Sequence, residues 1–435
     1  MTFPLTRAQL LETNILLLRS KTHPIDIQLD FRDPQWDWEE EEAHRFGFLE
    51  MTMVIRTLLP HVARWRRLAV LTDTWLPIFC FLVTTSCSVE SAPMLRSLSL
   101  SRCNAYFAGK GEMFKPESLR PPLKLFGGIP LTQLRNVSLV GVHIDWSRTH
   151  LVNLHQLELK YHASDVMPSL DEFLDILSAC PDLTKLSIIG SGPRLEYGTH
   201  AQFSEPEPEP AGTGPRCSPS SASFHPAITL DRLTRLAFGF VDVMYAVDVL
   251  SLFRLPALRE MEIEDVSLTL DPYEERDASA VLKFLTSNRV RSIAAAPGAL
   301  GIPLDQITSL ELRGLCAGRE DFSSFFSHMT SLERLVVSDA SDEAVLSLNS
   351  RPHAPEVICP GLNVLHCRDM DPKIVVETVV ERSGIGARAL KLLILEYRSN
   401  EADLTECSIA ALLGAGVGRF ALYTNGKMCQ EFSRI

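Results

Sequence analysis

The sequence predicts an α/β fold built by serial repetition, and three observations carry that prediction. Twelve times along the 435 residues an apolar residue is followed by two variable positions, a second apolar residue, one variable position and a third apolar residue. The clearest copies are Leu95-Leu98-Leu100, Leu154-Leu157-Leu159, Leu183-Leu186-Ile188, Leu332-Leu335-Val337 and Leu390-Leu393-Leu395, and looser ones begin at Trp65, Leu134, Leu233, Leu258, Ile307, Leu362 and Val417. Most successive copies lie 20 to 30 residues apart, close to the roughly 20–29-residue period of leucine-rich repeats. Between copies the chain often reads as amphipathic helix. These features predict a leucine-rich-repeat solenoid, a horseshoe with parallel strands on the concave face and helices on the convex face. Such a fold offers an extended surface for binding, because stacked strands do not of themselves enclose a pocket.

Each element follows in order. Residues from about Arg7 to Ser20 read as a helix, and Ile25 to Phe31 alternate apolar and polar residues strictly, as a half-buried strand does. Residues 1–64 are expected to cap the solenoid with this helix and opening strand, and residues 65–435 to form the solenoid itself. Ser169-Leu170-Asp171-Glu172 is a capping box that starts a helix. Leu170, Phe173, Leu174 and Leu177 then recur at helical spacing, and Pro181 restricts the end. The same pattern returns around Ala280-Val281-Phe284-Leu285, Phe322-Phe325-Phe326-Met329 and Val376-Val379-Val380.

Two gaps between copies are doubled. The first holds an acidic Pro/Ser-rich insertion at 198–226, where Glu205-Pro206-Glu207-Pro208-Glu209-Pro210 forbids helix and offers nothing apolar to bury, so disorder is expected. The second contains Val290-Arg291-Ser292-Ile293-Ala294-Ala295, which reads as a degenerate copy with alanines in place of large apolar residues.

Composition narrows the function classes. A net charge of −12 disfavours nucleic acid and anionic membranes as partners, since a polyanion repels an acidic protein. The longest apolar run, Trp75 to Val83, is far shorter than the roughly 20 residues that span a bilayer. Ten cysteines are scattered without a C-x-x-C pair, which points to a reduced chain in the cytoplasm and/or nucleus and to no structural zinc. His143, His150, His155 and His162 are too loosely spaced for a metal site and read as surface histidines. Phosphate-loop, dinucleotide, zinc-protease and nucleophile-elbow motifs are all missing, so the expectation is a non-enzyme with no cofactor.

The informative positions lie between the apolar anchors, because alternation along a strand turns them to the concave face. Early copies place Ser97, Ser99, Ser101, Asn136 and Ser138 there, followed by Gln156, Glu158 and Lys160. Glu260, Glu262, Glu264 and Glu311 make the middle acidic, and Arg313, Arg334, His366 and Arg368 turn it basic towards the C-terminal end. These charged residues, from Glu158 to Arg368, are the candidate partner-binding set. The glutamates are read as an acidic patch for a basic partner segment, unless Arg313 or Arg334 offsets them internally.

Leu16 to Leu29, with Arg19-Ser20-Lys21-Thr22-His23-Pro24-Ile25-Asp26-Ile27 at its centre, resembles the stretch that follows the F-box in mushroom-type (basidiomycete) fungal F-box proteins. His61-Val62-Ala63-Arg64-Trp65-Arg66-Arg67-Leu68 resembles the next element of that family, Leu125-Phe126-Gly127-Gly128-Ile129-Pro130 a further block, and Ser169 to Leu183 its helix-to-strand junction. The resemblance implies the substrate-recognition part of a receptor that presents a protein substrate to a cullin ubiquitin ligase, which supplies the chemistry. The family's F-box is not recognisable before Ile25: neither its leucine-proline-proline-glutamate opening nor its cysteine-arginine-arginine-tryptophan motif is present. No adaptor-binding residue is therefore carried over, and a Skp-type adaptor is implied as a partner only if an F-box lies upstream. The alternative is a stand-alone leucine-rich-repeat scaffold or inhibitor with no ubiquitin role.

Overall fold

A computed structural model describes residues 7–33, 35–36, 44, 48–103, 113–195, 227–267, 277–287, 301–349, 357–398 and 404–433. The Glu39–Glu42 run, the insertion at 198–226 and the Val290–Ala295 segment all lie outside them.

Among the described residues sixteen strands follow one another: β1 Ile25–Phe31, β2 Trp65–Thr72, β3 Ser97–Arg102, β4 Asn136–Val140, β5 Gln156–Lys160, β6 Lys185–Ile189, β7 Ile228–Thr229, β8 Arg235–Phe240, β9 Phe253–Arg254, β10 Glu260–Asp265, β11 Ser309–Arg313, β12 Arg334–Ser338, β13 Val364–Arg368, β14 Leu392–Tyr397, β15 Arg419–Thr424 and β16 Lys427–Ser433. Fourteen of them form one sheet in chain order, with β7 and β9 set apart as a short pair. All its pairings are parallel except the last, between β15 and β16. β1 pairs with β2, so the sheet crosses position 64 without a break.

The apolar motif explains this sheet directly. The second apolar residues of all the copies fall in one register row, from Leu68 through Leu98, Val137 and Leu157 to Leu393 and Phe420. The third apolar residues form a parallel row, and none of the residues in either row, or at the first motif position, is more than 4 % exposed. Each buried leucine contributes about 1.5–3 kcal/mol relative to leaving it in water. The rows therefore hold the strands in register, since a one-residue slip would turn each apolar set outward.

Helices fill most of the crossovers, because parallel strands need a connection of a dozen or more residues. The helix Leu170–Ser178 begins with the expected capping box: Ser169 accepts from the Glu172 backbone N–H, and Glu172 accepts from that of Ser169. The helices Ser279–Ser287, Arg319–Ser327 and Pro372–Gly384 stand where apolar periodicity placed them, and Phe322, Phe325 and Phe326 are fully buried. The helix Arg7–Arg19 precedes β1.

Two expectations are corrected. The strands are not all parallel: Asn425 (φ 50°) and Gly426 (φ 71°) form a two-residue left-handed turn, so β16 folds back antiparallel on β15. Asn-Gly is the strongest short hairpin signal, and the period-based reading passed over it. Finally, His143 and His162 are buried rather than on the surface (7 % and 1 % exposed), whereas His150 and His155 are exposed. The chain leaving β4 and β5 folds over the end of the core, where Phe114 packs on His143 and Trp146 on His162.

A second regularity lies at the strand ends. Each five-residue strand, β4, β5, β6, β11, β12 and β13, is followed at once by a residue with positive φ: Gly141, Tyr161, Gly190, Gly314, Asp339 and Asp369. Left-handed backbone suits glycine and is tolerated by aspartate, so these residues turn the chain off the sheet at little expense. Tyr161 is the exception among them.

Candidate interaction face

The sheet face turned away from the helices is a grid of three register rows. Its central row runs Ser138, Glu158, Ser187, Ala237, Glu262, Glu311, Val336, His366 and Ile394. The next row towards the strand ends runs Lys160, Ile189, Gly239, Glu264, Arg313, Ser338, Arg368 and Glu396. The candidate residues therefore share one face, spread over seven neighbouring strands from β5 to β13.

Most of the glutamates are neutralised by neighbours. Arg313 donates to Glu311 at 2.7–2.8 Å and reaches Glu262 at 3.5 Å, while Arg235 lies 3.5 Å from Glu260. Arg368 on β13 stretches across β12 to Glu311 at 3.6 Å, over the shorter side chains Val336 and Ser338. The same arginine donates to Glu396 at 2.9 Å, and the His366 ring lies 3.1 Å from that carboxylate. Burial works to raise the Glu396 carboxyl, but Arg368 and His366 more than offset it and leave it below the usual range. Burial, followed by Arg368, holds the His366 imidazole below its ordinary value. This sector is a charge network closed on itself.

On β5, Glu158 accepts from Ser138 at 3.1 Å and from the Lys185 ammonium. Burial would raise its carboxyl, and the two lysines bring it below the usual range. Lys160 and Arg334 form no ion pair among the described residues.

Glu264 differs from every other acid on the face. It is 8 % exposed, its Oε2 is wholly buried, and no hydrogen-bond donor meets that atom. Burial pushes its carboxyl up; Arg313 pulls it down and Glu262 adds to the rise. Beside it lies a small apolar cluster separate from the main core: Ile189, Ala237 and Val266, with Tyr161 and Val241 packed against them. Gly239 makes this cluster possible, since a Cβ there would stand 2.8 Å from Ile189 Cγ2 and 3.1 Å from Val266 Cγ2. The four glutamates are thus not one open acidic patch, because Glu260, Glu262 and Glu311 have cations beside them and, among the described residues, Glu264 has no hydrogen-bond or ion-pair partner.

The sequence reading missed Glu396, Tyr161, Lys185 and Gly239. Glu396 was legible: it stands one position after the third apolar residue of its copy, in the same column as Lys160, Glu264, Arg313 and Arg368. Tyr161 and Gly239 carried no signal, because their importance comes from strands 20 to 100 residues away. A cavity lined by Val379, Arg382 and Leu390 among others is no larger than one water and lies off this face. Among the described residues no helix is long and apolar enough to cross a membrane, and no disulfide joins the cysteines. No protein-family model matches the chain, and a search of curated proteins returns no match.

Proposed function

We propose that this chain is a protein-binding module: a leucine-rich-repeat solenoid whose helix-free sheet face receives a partner protein. The observation that carries the reading is the grid itself, in which charged and titratable side chains from five strands, β5, β10, β11, β13 and β14, occupy two neighbouring rows of one continuous face. A long, rigid, charged surface of this kind recognises an extended partner through many spaced contacts, and its charges set specificity more than raw affinity. The narrower version is the substrate-recognition part of an F-box-type receptor for a cullin ubiquitin ligase, working in the cytoplasm and/or nucleus. Its support is the resemblance of the segments at Leu16–Leu29, His61–Leu68, Leu125–Pro130 and Ser169–Leu183.

The test is affinity purification of the tagged full chain from its own cells, beside a double variant carrying Glu262→Lys and Glu311→Lys. A partner recovered with the wild type and depleted at least tenfold with the variant supports the face; equal recovery removes it. A Skp-type adaptor and cullin in the same eluate support the receptor role, and their absence leaves the stand-alone scaffold as the reading.

A further inference from the structure

We infer that Glu264 and the apolar cluster beside it form a socket for a single basic side chain of the partner, an alkyl stem ending in an ammonium or guanidinium group. The inference rests on the protein-binding reading and names what the face holds at this point.

Three features define the socket. Its end is acidic and unsatisfied: the Glu264 carboxylate has no hydrogen bond or ion pair, and its Oε2 is buried without a donor. A buried polar group left without its partner is destabilising, and an ionised carboxylate more so. Nearby acids are relieved by arginines, yet Arg313 is already engaged with Glu311 and Glu262 and leaves Glu264 unpaired. The socket's wall is apolar: Ile189 and Val266 meet over Gly239, which shares its register position with Glu264. The apolar stem and charged head of a lysine or arginine match a wall and an end arranged in this order. The rim is polar: Tyr161 packs half-buried against the same cluster, and its hydroxyl is held above its ordinary range by burial and then by Glu264. An aromatic ring beside a carboxylate is suited to a cation, which each attracts.

The surrounding charges agree in sign. Glu262 and Glu311 stand on the same side of the socket as Glu264, and the cations near it are Arg313 and Lys160. Arg313 is committed to its two glutamates, and Lys160 sits three strands away on β5. An arriving cation would satisfy Oε2 and draw the carboxyl to its ionised form, so binding should strengthen with rising pH.

The test uses the full chain with 13C-labelled isoleucine and alanine methyl groups, reading Ile189 and Ala237. It is titrated with N-acetyl-lysine methylamide, N-acetyl-arginine methylamide and, as uncharged control, N-acetyl-norleucine methylamide. The expected result is saturable movement of both methyls with at least one cationic probe, at least tenfold weaker response to norleucine, and tighter binding at pH 8 than at pH 5. The lysine and arginine arms decide which head group the socket prefers. Glu264→Gln should weaken the cationic probe at least tenfold while leaving unligated methyl spectra and the melting temperature at or above wild type. Equal response to norleucine, undiminished binding by Glu264→Gln, or still methyls throughout the wild-type titration would overturn the socket. Its failure is separable from that of the binding reading: a partner that depends on Glu262 and Glu311 but ignores Glu264→Gln leaves the face standing without this anchor.

Discussion

The sector from β11 to β14 and the sector from β4 to β10 handle titratable groups in opposite ways. In the first, Arg313, Glu311, Arg368, His366 and Glu396 link strand to strand, so that each of these five is answered by the molecule itself, although Arg334 stands outside the network. In the second, His143, His162 and Glu264 are buried with ring nitrogens or a carboxylate oxygen lacking a hydrogen-bond partner. The difference teaches where a repeating face is finished and where it is left open. A closed network contributes rigidity and little new affinity, because its charges have already found partners. Unanswered groups store a penalty that protonation changes or a ligand can relieve.

Three perturbations would break or sharpen that contrast. The largest effect belongs to His162, whose imidazole is pushed down to about 3 by burial, with His143 adding to the shift. The folded state thus favours the neutral ring, while the unfolded chain takes up its proton near 6.5. Stability is fully present above 6.5 and is lost as pH falls towards 3, by an amount on the order of 3 kcal/mol. Denaturant melts of wild type and His162→Gln from pH 7 to pH 4 check this: the variant should show a much flatter acid limb. A slope unchanged by the substitution would place the acid sensitivity elsewhere.

Arg313→Met comes next. It strips Glu311 and Glu262 of their shared cation beside the already unpaired Glu264. Arg313 is more than a third exposed, so screening limits the loss to about 1–2 kcal/mol. Chemical denaturation at low and high salt should show a smaller difference at high salt; salt-independence would mean that the guanidinium acts mainly through packing.

The smallest effect is on stability in Glu264→Gln. The folded carboxyl is held above its ordinary value by burial, so the wild type is penalised as pH rises through that folded value and not below the ordinary one. The variant should be more stable than wild type at pH 8, by about 1 kcal/mol, and level with it at pH 4. A loss at pH 8 would show that the carboxylate is already satisfied in solution, and the contrast between the two sectors would fall with it.

Much of the fold was legible because the core is written at fixed spacing. Leu95, Leu98 and Leu100 name their own positions, and the same spacing located β14 and β15 far along the chain. The capping box at Ser169 was legible for the same local reason. Where the reading failed, another local signal outweighed the period, as with Asn425-Gly426. The face was half legible. Alternation put Glu262, Glu264, Arg313 and Arg368 on one side, but which acid keeps its charge unanswered depends on how far each arginine reaches across intervening strands.

The reversal at β16 has a consequence for how copies of this molecule meet. A sheet made only of parallel strands in chain order would present complementary edges at its two ends, and copies could add head to tail without closing, the geometry of a growing fibre. Here the β1 edge belongs to the parallel stack, whereas the far edge belongs to an antiparallel strand carrying Lys427 and Glu431. The hairpin thereby breaks the uniformity of the stack: the two ends of the sheet are unlike, and the far one carries charge of both signs, a feature that works against edge-to-edge pairing.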